Sequence, residues 1–254
     1  MDVDAYLARI GHHGPRDPTV AVLRELHRAH MEAVPFENLD IHAGRSIVLE
    51  EDALFDKIVN RRRGGFCYEL NGLFSALLRT LGFSVTRFSA GVLNEDGTFG
   101  PDFDHMVLLV ELKDRWLADV GFGDSFREPL LLDEPGDQVR DGRVFRVTHN
   151  GLKGTMLTHR EGTTTPDGYR FDFGAHSFAD YSAMCHFHQT SPESPFTQKR
   201  LCSRATPTGR ITLSGTRLIV TEGGRRQERQ LTNDEWRSAL AEHFGIDPTG
   251  LLPS

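Results

Sequence analysis

Cys67 follows the pair Gly64-Gly65 and opens a strongly amphipathic run, an arrangement suited to a nucleophile. From Leu70 onward the apolar positions are Leu70, Leu73, Phe74, Leu77, Leu78 and Leu81, one stripe at helical spacing. Cys67 lies three residues before Leu70 on the same stripe, so its thiol is expected to face the interior at a helix N-terminus. The exposed amide N–H groups and positive dipole end there favour an anion, which biases a thiol toward thiolate. A cysteine nucleophile needs a base, and the base needs an orienting group. Among twelve histidines, position selects His105. It begins the strongest strand-like run, His105-Met106-Val107-Leu108-Leu109-Val110, directly after the polar turn Asp102-Phe103-Asp104. The next run, Trp116-Leu117-Ala118-Asp119-Val120, holds a carboxylate among apolar neighbours, and such a group must be hydrogen-bonded or charge-paired.

Pairing makes a geometric demand. Asp119 lies an even number of residues beyond His105, so in an antiparallel hairpin the two share a face only when the loop is odd or a bulge intervenes. A regular two-residue turn at Lys113-Asp114 would separate them. The expectation is an odd loop or a bulge.

The elements that must position these groups change character along the chain. Residues 1–83 read as helical: Asp17-Pro18 resembles an N-cap with proline at the first helical position, and Val20–Met31 carries the periodicity. Leu54, Phe55 and Ile58 mark a further helix that runs into Arg61-Arg62-Arg63, and Gly82 is placed to end the Cys67 helix. From residue 84 the period shortens to two. Ser84–Leu93, Met106–Leu112, Trp116–Val120, Val144–Thr148, Thr155–His159 and Tyr169–Phe173 alternate with turn signals, which suggests an antiparallel barrel or sandwich. Beyond them, Arg210–Leu213, Arg217–Thr221 and Gln227–Leu231 form a meander, and Thr232 with Glu235 stands at capping-box spacing before a last helix. The fold class expected is α+β, with divisions at 1–83, 84–190 and 191–254.

Composition narrows the function. A formal net charge of -7 argues against nucleic acid as the main partner. No long apolar run suggests a membrane span, Met1-Asp2-Val3-Asp4 is no signal peptide, and three cysteines without a Cys-x-x-Cys spacing read as reduced thiols. A cytoplasmic location is expected. Cys185-His186-Phe187-His188 superficially suggests a metal site, but His-x-His on a helix splays its rings and no fourth ligand is nearby, so no metal is expected.

With its flanking residues, this constellation resembles the arylamine N-acetyltransferases. The matching pieces are Pro35-Phe36-Glu37-Asn38, Arg63-Gly64-Gly65-Phe66-Cys67-Tyr68-Glu69-Leu70-Asn71, His105 and Asp119-Val120-Gly121-Phe122-Gly123. Pro195-Phe196-Thr197 and Cys202-Ser203-Arg204 extend the likeness over most of the chain. The resemblance implies a helical bundle, a β-barrel and a C-terminal α/β lid around a cysteine-protease-like core. It implies a Cys67–His105–Asp119 triad that moves acetyl from acetyl-CoA to an arylamine or arylhydrazine, as in xenobiotic metabolism. The amide synthases of the same fold, which act on polyketide acyl chains, are the alternative, followed by a hydrolase or transglutaminase-like enzyme.

By resemblance Phe36 and Phe122 line the aryl pocket, and Phe196 and Trp236 flank the cofactor cleft. Tyr68, next to the nucleophile, is expected to contact substrate. Arg63 and Glu37 read as a buried structural ion pair. The Arg61–Arg63 run and Arg225-Arg226 are the candidates for meeting CoA phosphates. The partners expected are a small-molecule amine and acetyl-CoA, without nucleic acid or membrane, and with a homodimer left open.

Overall fold

The computed structural model describes residues 1–159 and 166–251. Five helices precede the first long strand: α1 (Val3–Ile10), α2 (Val20–Ala33), α3 (Leu39–His42), α4 (Glu51–Phe55) and α5 (Cys67–Thr80). A single π-helical stretch, Asp56–Asn60, continues α4. The cap of α2 is Thr19 rather than Asp17, because the Thr19 hydroxyl is the group that reaches the Val22 N–H, at 3.3 Å. Gly82, at φ 90°, follows the end of α5 in the left-handed region that favours glycine.

The central sheet comprises β2 (Ser84–Val92), β3 (His105–Glu111), β4 (Arg115–Ala118), β5 (Leu130–Leu131), β6 (Gln138–Arg140), β7 (Arg143–His149), β8 (Lys153–Thr158) and β9 (Asp167–Asp172). Its order is β5-β4-β3-β2-β9-β8-β7-β6, antiparallel throughout. The sheet curls into a nearly closed barrel. One side chain joins its two edges: the Gln138 amide accepts from the Leu131 N–H and donates to the Leu131 carbonyl, both at 2.8 Å. An amide so placed satisfies the backbone groups that an open edge leaves unpaired.

Helices α6 (Phe178–Thr190) and α7 (Pro195–Gln198) lead to a second sheet of β10 (Leu201–Thr206), β11 (Gly209–Ser214), β12 (Arg217–Glu222) and β13 (Arg225–Gln230). The two-residue strand β1 (Phe36–Glu37) completes it, with Phe36 opposite Ser203 and Glu37 opposite Cys202. Helix α8 (Asn233–Phe244) starts with the expected reciprocal cap, in which Glu235 accepts from the Thr232 N–H and Thr232 from the Glu235 N–H. We propose divisions after residues 83 and 190, with one exchange: β1 lies in the first segment yet pairs within the third. No helix among the described residues is long and apolar enough to cross a membrane.

Strand β3 divides the core. Met106, Leu108 and Val110 join the cluster around α5, whereas Val107 and Leu109 join the barrel interior with Phe88, Phe145, Tyr169 and Phe171. Period-two alternation on one buried strand thus serves two cores. The loop between β3 and β4 is Leu112-Lys113-Asp114, three residues, with Glu111 opposite Arg115 and Leu108 opposite Ala118. The odd loop expected from the sequence is present.

Candidate active site

The start of α5 is held by buried charge. Arg63 meets Glu37 through Nε at 3.0 Å and Nη2 at 2.7 Å, and its Nη1 lies 3.1 Å from Asp40. Lys57 joins Asp40 and Glu69, each at 2.8 Å. The other Glu69 oxygen accepts from the Phe66 N–H at 3.1 Å, the N-terminal tie of α5. Buried ions are tolerated only when paired in this way. The backbone beside them is pressed close: a Cβ on Gly64 would stand 1.9 Å from the Pro35 carbonyl oxygen. Pro-Phe-Glu-Asn and Arg-Gly-Gly-Phe-Cys are therefore one packed unit. Asn38 extends it, donating to the Phe196 and Lys199 carbonyls and accepting from the Leu201 N–H.

Cys67 is buried at the first position of α5. Asn71, one turn further on, donates to the Met106 carbonyl at 2.7 Å and to Asp119 Oδ1 at 2.8 Å. Its own carbonyl accepts from the Val120 N–H at 2.9 Å. Tyr68, beside Cys67, donates its hydroxyl to the carbonyls of Phe103 and Asp104, beside His105, at 2.6 and 3.2 Å. The starts of α5 and β3 are thereby drawn together. Gly121 closes the third side, since a Cβ there would lie 2.8 Å from Cys67 Cα.

His105 Nε2 lies 2.8 Å from Asp119 Oδ2, and Asp119 Oδ1 also accepts the Gly121 N–H at 2.9 Å. Burial would raise the Asp119 carboxyl, but His105, Asn71 and the Gly121 N–H outweigh it and hold it below the usual carboxylate range. An ionised Asp119 takes the proton-bearing Nε2, which leaves Nδ1 as the basic nitrogen of His105. The thiol behaves differently. Burial, then the carboxylates of Asp104 and Asp119, push Cys67 well above the ordinary thiol range. The helix start therefore does not by itself make Cys67 a thiolate, contrary to the sequence expectation, because desolvation outweighs the dipole. Ionisation requires a partner that receives the proton.

The aromatic candidates separate. Phe122 is half-buried and packs edge-on against His105, centroids 5.2 Å apart, and against Tyr169 at 5.1 Å. Phe36 and Phe196 meet at 6.1 Å, and Phe196 reaches Phe66 at 5.6 Å. Tyr68 is fully buried, with its hydroxyl committed to the 103–104 carbonyls. Trp236 is 2% exposed and packs with Leu213, Leu240 and Phe244 in a third cluster. The Arg200 guanidinium lies 4.8 Å from its ring centroid.

Three arginines of the basic runs are likewise engaged. Arg61 pairs with Asp56, Arg63 with Glu37 and Asp40, and Arg226 with Glu228. His188 lies against Ser194 and Asp104, and Cys185 accepts from Gln189, so these neighbours in sequence turn to separate partners. Asn71 stands in the quoted motif without an assigned role. Its only sequence signal is an amide in the apolar stripe, four residues after Cys67. His27 offered no signal, because its partners lie far along the chain.

Residues 19–249 match a family model described as N-acetyltransferase. The chain is 33% identical to the arylamine N-acetyltransferase pineal gland isozyme NAT-3 of Gallus gallus, over 97% of this chain and 94% of the relative. It is 37% identical to the arylamine N-acetyltransferase / N-hydroxyarylamine O-acetyltransferase of Salmonella typhimurium, over 95% and 88%. This chain belongs to the arylamine N-acetyltransferase family. Among solved family structures, that of the Mycobacterium marinum enzyme in complex with CoA superposes with a TM-score of 0.91 at 31% identity, covering 99% of this chain and 95% of that one. The Nocardia farcinica arylamine N-acetyltransferase gives 0.89 at 35% identity, over 99% and 92%. The α+β architecture expected from the sequence is therefore that of the family, and the likeness runs through all three segments.

Proposed function

We propose that this arylamine N-acetyltransferase carries acetyl from acetyl-CoA to the nitrogen of an arylamine or arylhydrazine through an acetyl-Cys67 intermediate. The observation that carries the reading is the His105–Asp119 contact, fixed by Asn71 from the helix that Cys67 begins. His105 Nδ1 takes the Cys67 proton, and Asp119 stabilises the imidazolium that results. The thiolate attacks the thioester carbonyl, and the tetrahedral intermediate collapses as the carbon–sulfur bond to CoA breaks. The CoA thiolate leaves with the proton from His105. The amine then attacks acetyl-Cys67, loses its proton to His105, and the amide departs as Cys67 is reprotonated, which completes a ping-pong cycle. Because the lone thiol is held protonated by burial, transfer to His105 is what makes the nucleophile.

Phe122 and Phe36 supply aromatic surface for the acceptor ring, and Phe196, packed against Phe36, borders the donor's side. A cavity of about 690 Å³, lined from Asp124 and Ser125 onward, gathers Arg127, Arg140, Arg143 and Arg210 together with Asp124 and Asp141, and its surplus of arginines over carboxylates makes it the candidate for the donor's phosphates. Mass spectrometry after mixing with acetyl-CoA and no amine tests the reading. One acetyl group should appear on the Cys67 peptide, be discharged by an arylamine, and be absent from Cys67→Ala. An unmodified Cys67 would overturn it in favour of an amide synthase with a different acyl donor.

A further inference from the structure

Among the described residues, His27 is the one fully buried histidine that touches the backbone of the Asp119 loop at both ends. It projects from α2 with its ring stacked on Phe126, 5.7 Å between centroids, and edge-on to Phe74 of α5 at 6.0 Å. Nε2 accepts the Asp119 N–H at 3.0 Å, and Nδ1 donates to the Arg127 carbonyl at 2.9 Å. One rigid ring therefore spans the segment that carries Asp119, Gly121 and Phe122. The two bonds need an acceptor nitrogen and a donor nitrogen together, which only the neutral imidazole provides. Burial keeps the ring neutral, lowering its pKa to about 4, against the smaller opposing pull of the Arg127 carbonyl and Asp119. The titratable groups that face it are Asp119 from the loop and His30 from its own helix.

We infer that neutral His27 is a positioning residue for Asp119: it fixes the main chain of the carboxylate, and through it the orientation of His105, without touching substrate. The inference rests on the reading of Cys67, His105 and Asp119 as the reacting set. It gives the helical bundle a direct hold on the barrel side of the site, through a bond that neither Cys67 nor His105 makes.

The two ring nitrogens can be tested separately. Gln places its carbonyl near the position of Nε2 and can keep the Asp119 bond, whereas Asn reaches only the position of Nδ1 and loses it. His27→Asn and His27→Leu should lower kcat by roughly 10- to 100-fold, the usual scale for loss of an orienting partner. KM for acetyl-CoA should stay within about twofold, because no binding contact is removed. The same variants should shift the pH profile of Cys67 alkylation by iodoacetamide to higher pH, while His27→Gln stays close to the parent in both readouts. A folded His27→Asn protein with parental kcat and an unmoved alkylation profile would overturn the proposal; if the Leu variant fails to fold, the Asn and Gln pair decides. Alkylation needs no acyl donor. A shifted profile together with no acetyl-Cys67 in the parent would therefore refute the acetyl-transfer reading while leaving the positioning role standing.

Discussion

Asn71 donates to Asp119 Oδ1 at 2.8 Å from the helix whose first residue is Cys67. A single amide thus ties the helix that Cys67 begins to the carboxylate bonded to His105, and its remaining bonds go to the backbone of Met106 and Val120.

Removing that amide should disturb both stability and chemistry. Asn71→Ala leaves the Met106 carbonyl and the Val120 N–H buried without partners, at about 1–3 kcal/mol for each orphaned group. Urea denaturation should show a loss of roughly 3 kcal/mol, accompanied by a fall in kcat. Unchanged stability would mean that water or a neighbour replaces the amide.

Lys57 is the central cation between Asp40 and Glu69. In Lys57→Met both carboxylates lose it inside the protein, and breaking a buried pair by removing one partner costs about 3–5 kcal/mol. The melting temperature should fall accordingly. Truncating Arg61, whose partner Asp56 is solvent-exposed, should change stability by less than about 1 kcal/mol.

Acid should weaken the fold through His27. Its pKa is lowered by burial from 6.5 to about 4, so the unfolded chain takes up the proton first as pH falls. This contribution is complete above pH 6.5 and is lost as pH drops through about 4, amounting to about 3 kcal/mol. Denaturation series from pH 7 to 4 on the parent and on His27→Gln check the claim. The variant should show a shallower decline, and parallel curves would exclude His27 as the source.

Arg140→Glu, at the cavity beyond Phe122, should raise KM for acetyl-CoA while leaving the rate of Cys67 alkylation unchanged. An unaffected KM would place the phosphates elsewhere.

Much of the site was legible because its chemistry is local. A thiol after two glycines at the start of an apolar helical stripe, a histidine opening a strand and an acid inside the next one are patterns of neighbouring residues. The parity of the His105–Asp119 hairpin could even be reasoned out beforehand, and the Leu112–Asp114 loop satisfies it. Cap positions and short strands were less accessible. Thr19 rather than Asp17 caps α2, and β1 and β10 carry no alternation strong enough to announce them. The surroundings of Tyr68 and Trp236 were inaccessible for a related reason: residue type suggests contact with an aromatic ligand, whereas burial is set by the whole fold.

The amino-acid sequence alone gave helices ahead of short antiparallel strands, and Cys67, His105 and Asp119 as the candidate thiol, imidazole and carboxylate, since periodicity and residue type are properties of a few adjacent positions. Only the tertiary structure decided what surrounds them. Desolvation by the core pushes the Cys67 thiol up, and the bonds from Asn71 and His27 to the Asp119 loop span tens of residues along the chain. Long-range contacts and burial have no local pattern from which they could be read, and here they set the surroundings of Cys67 and the geometry around Asp119.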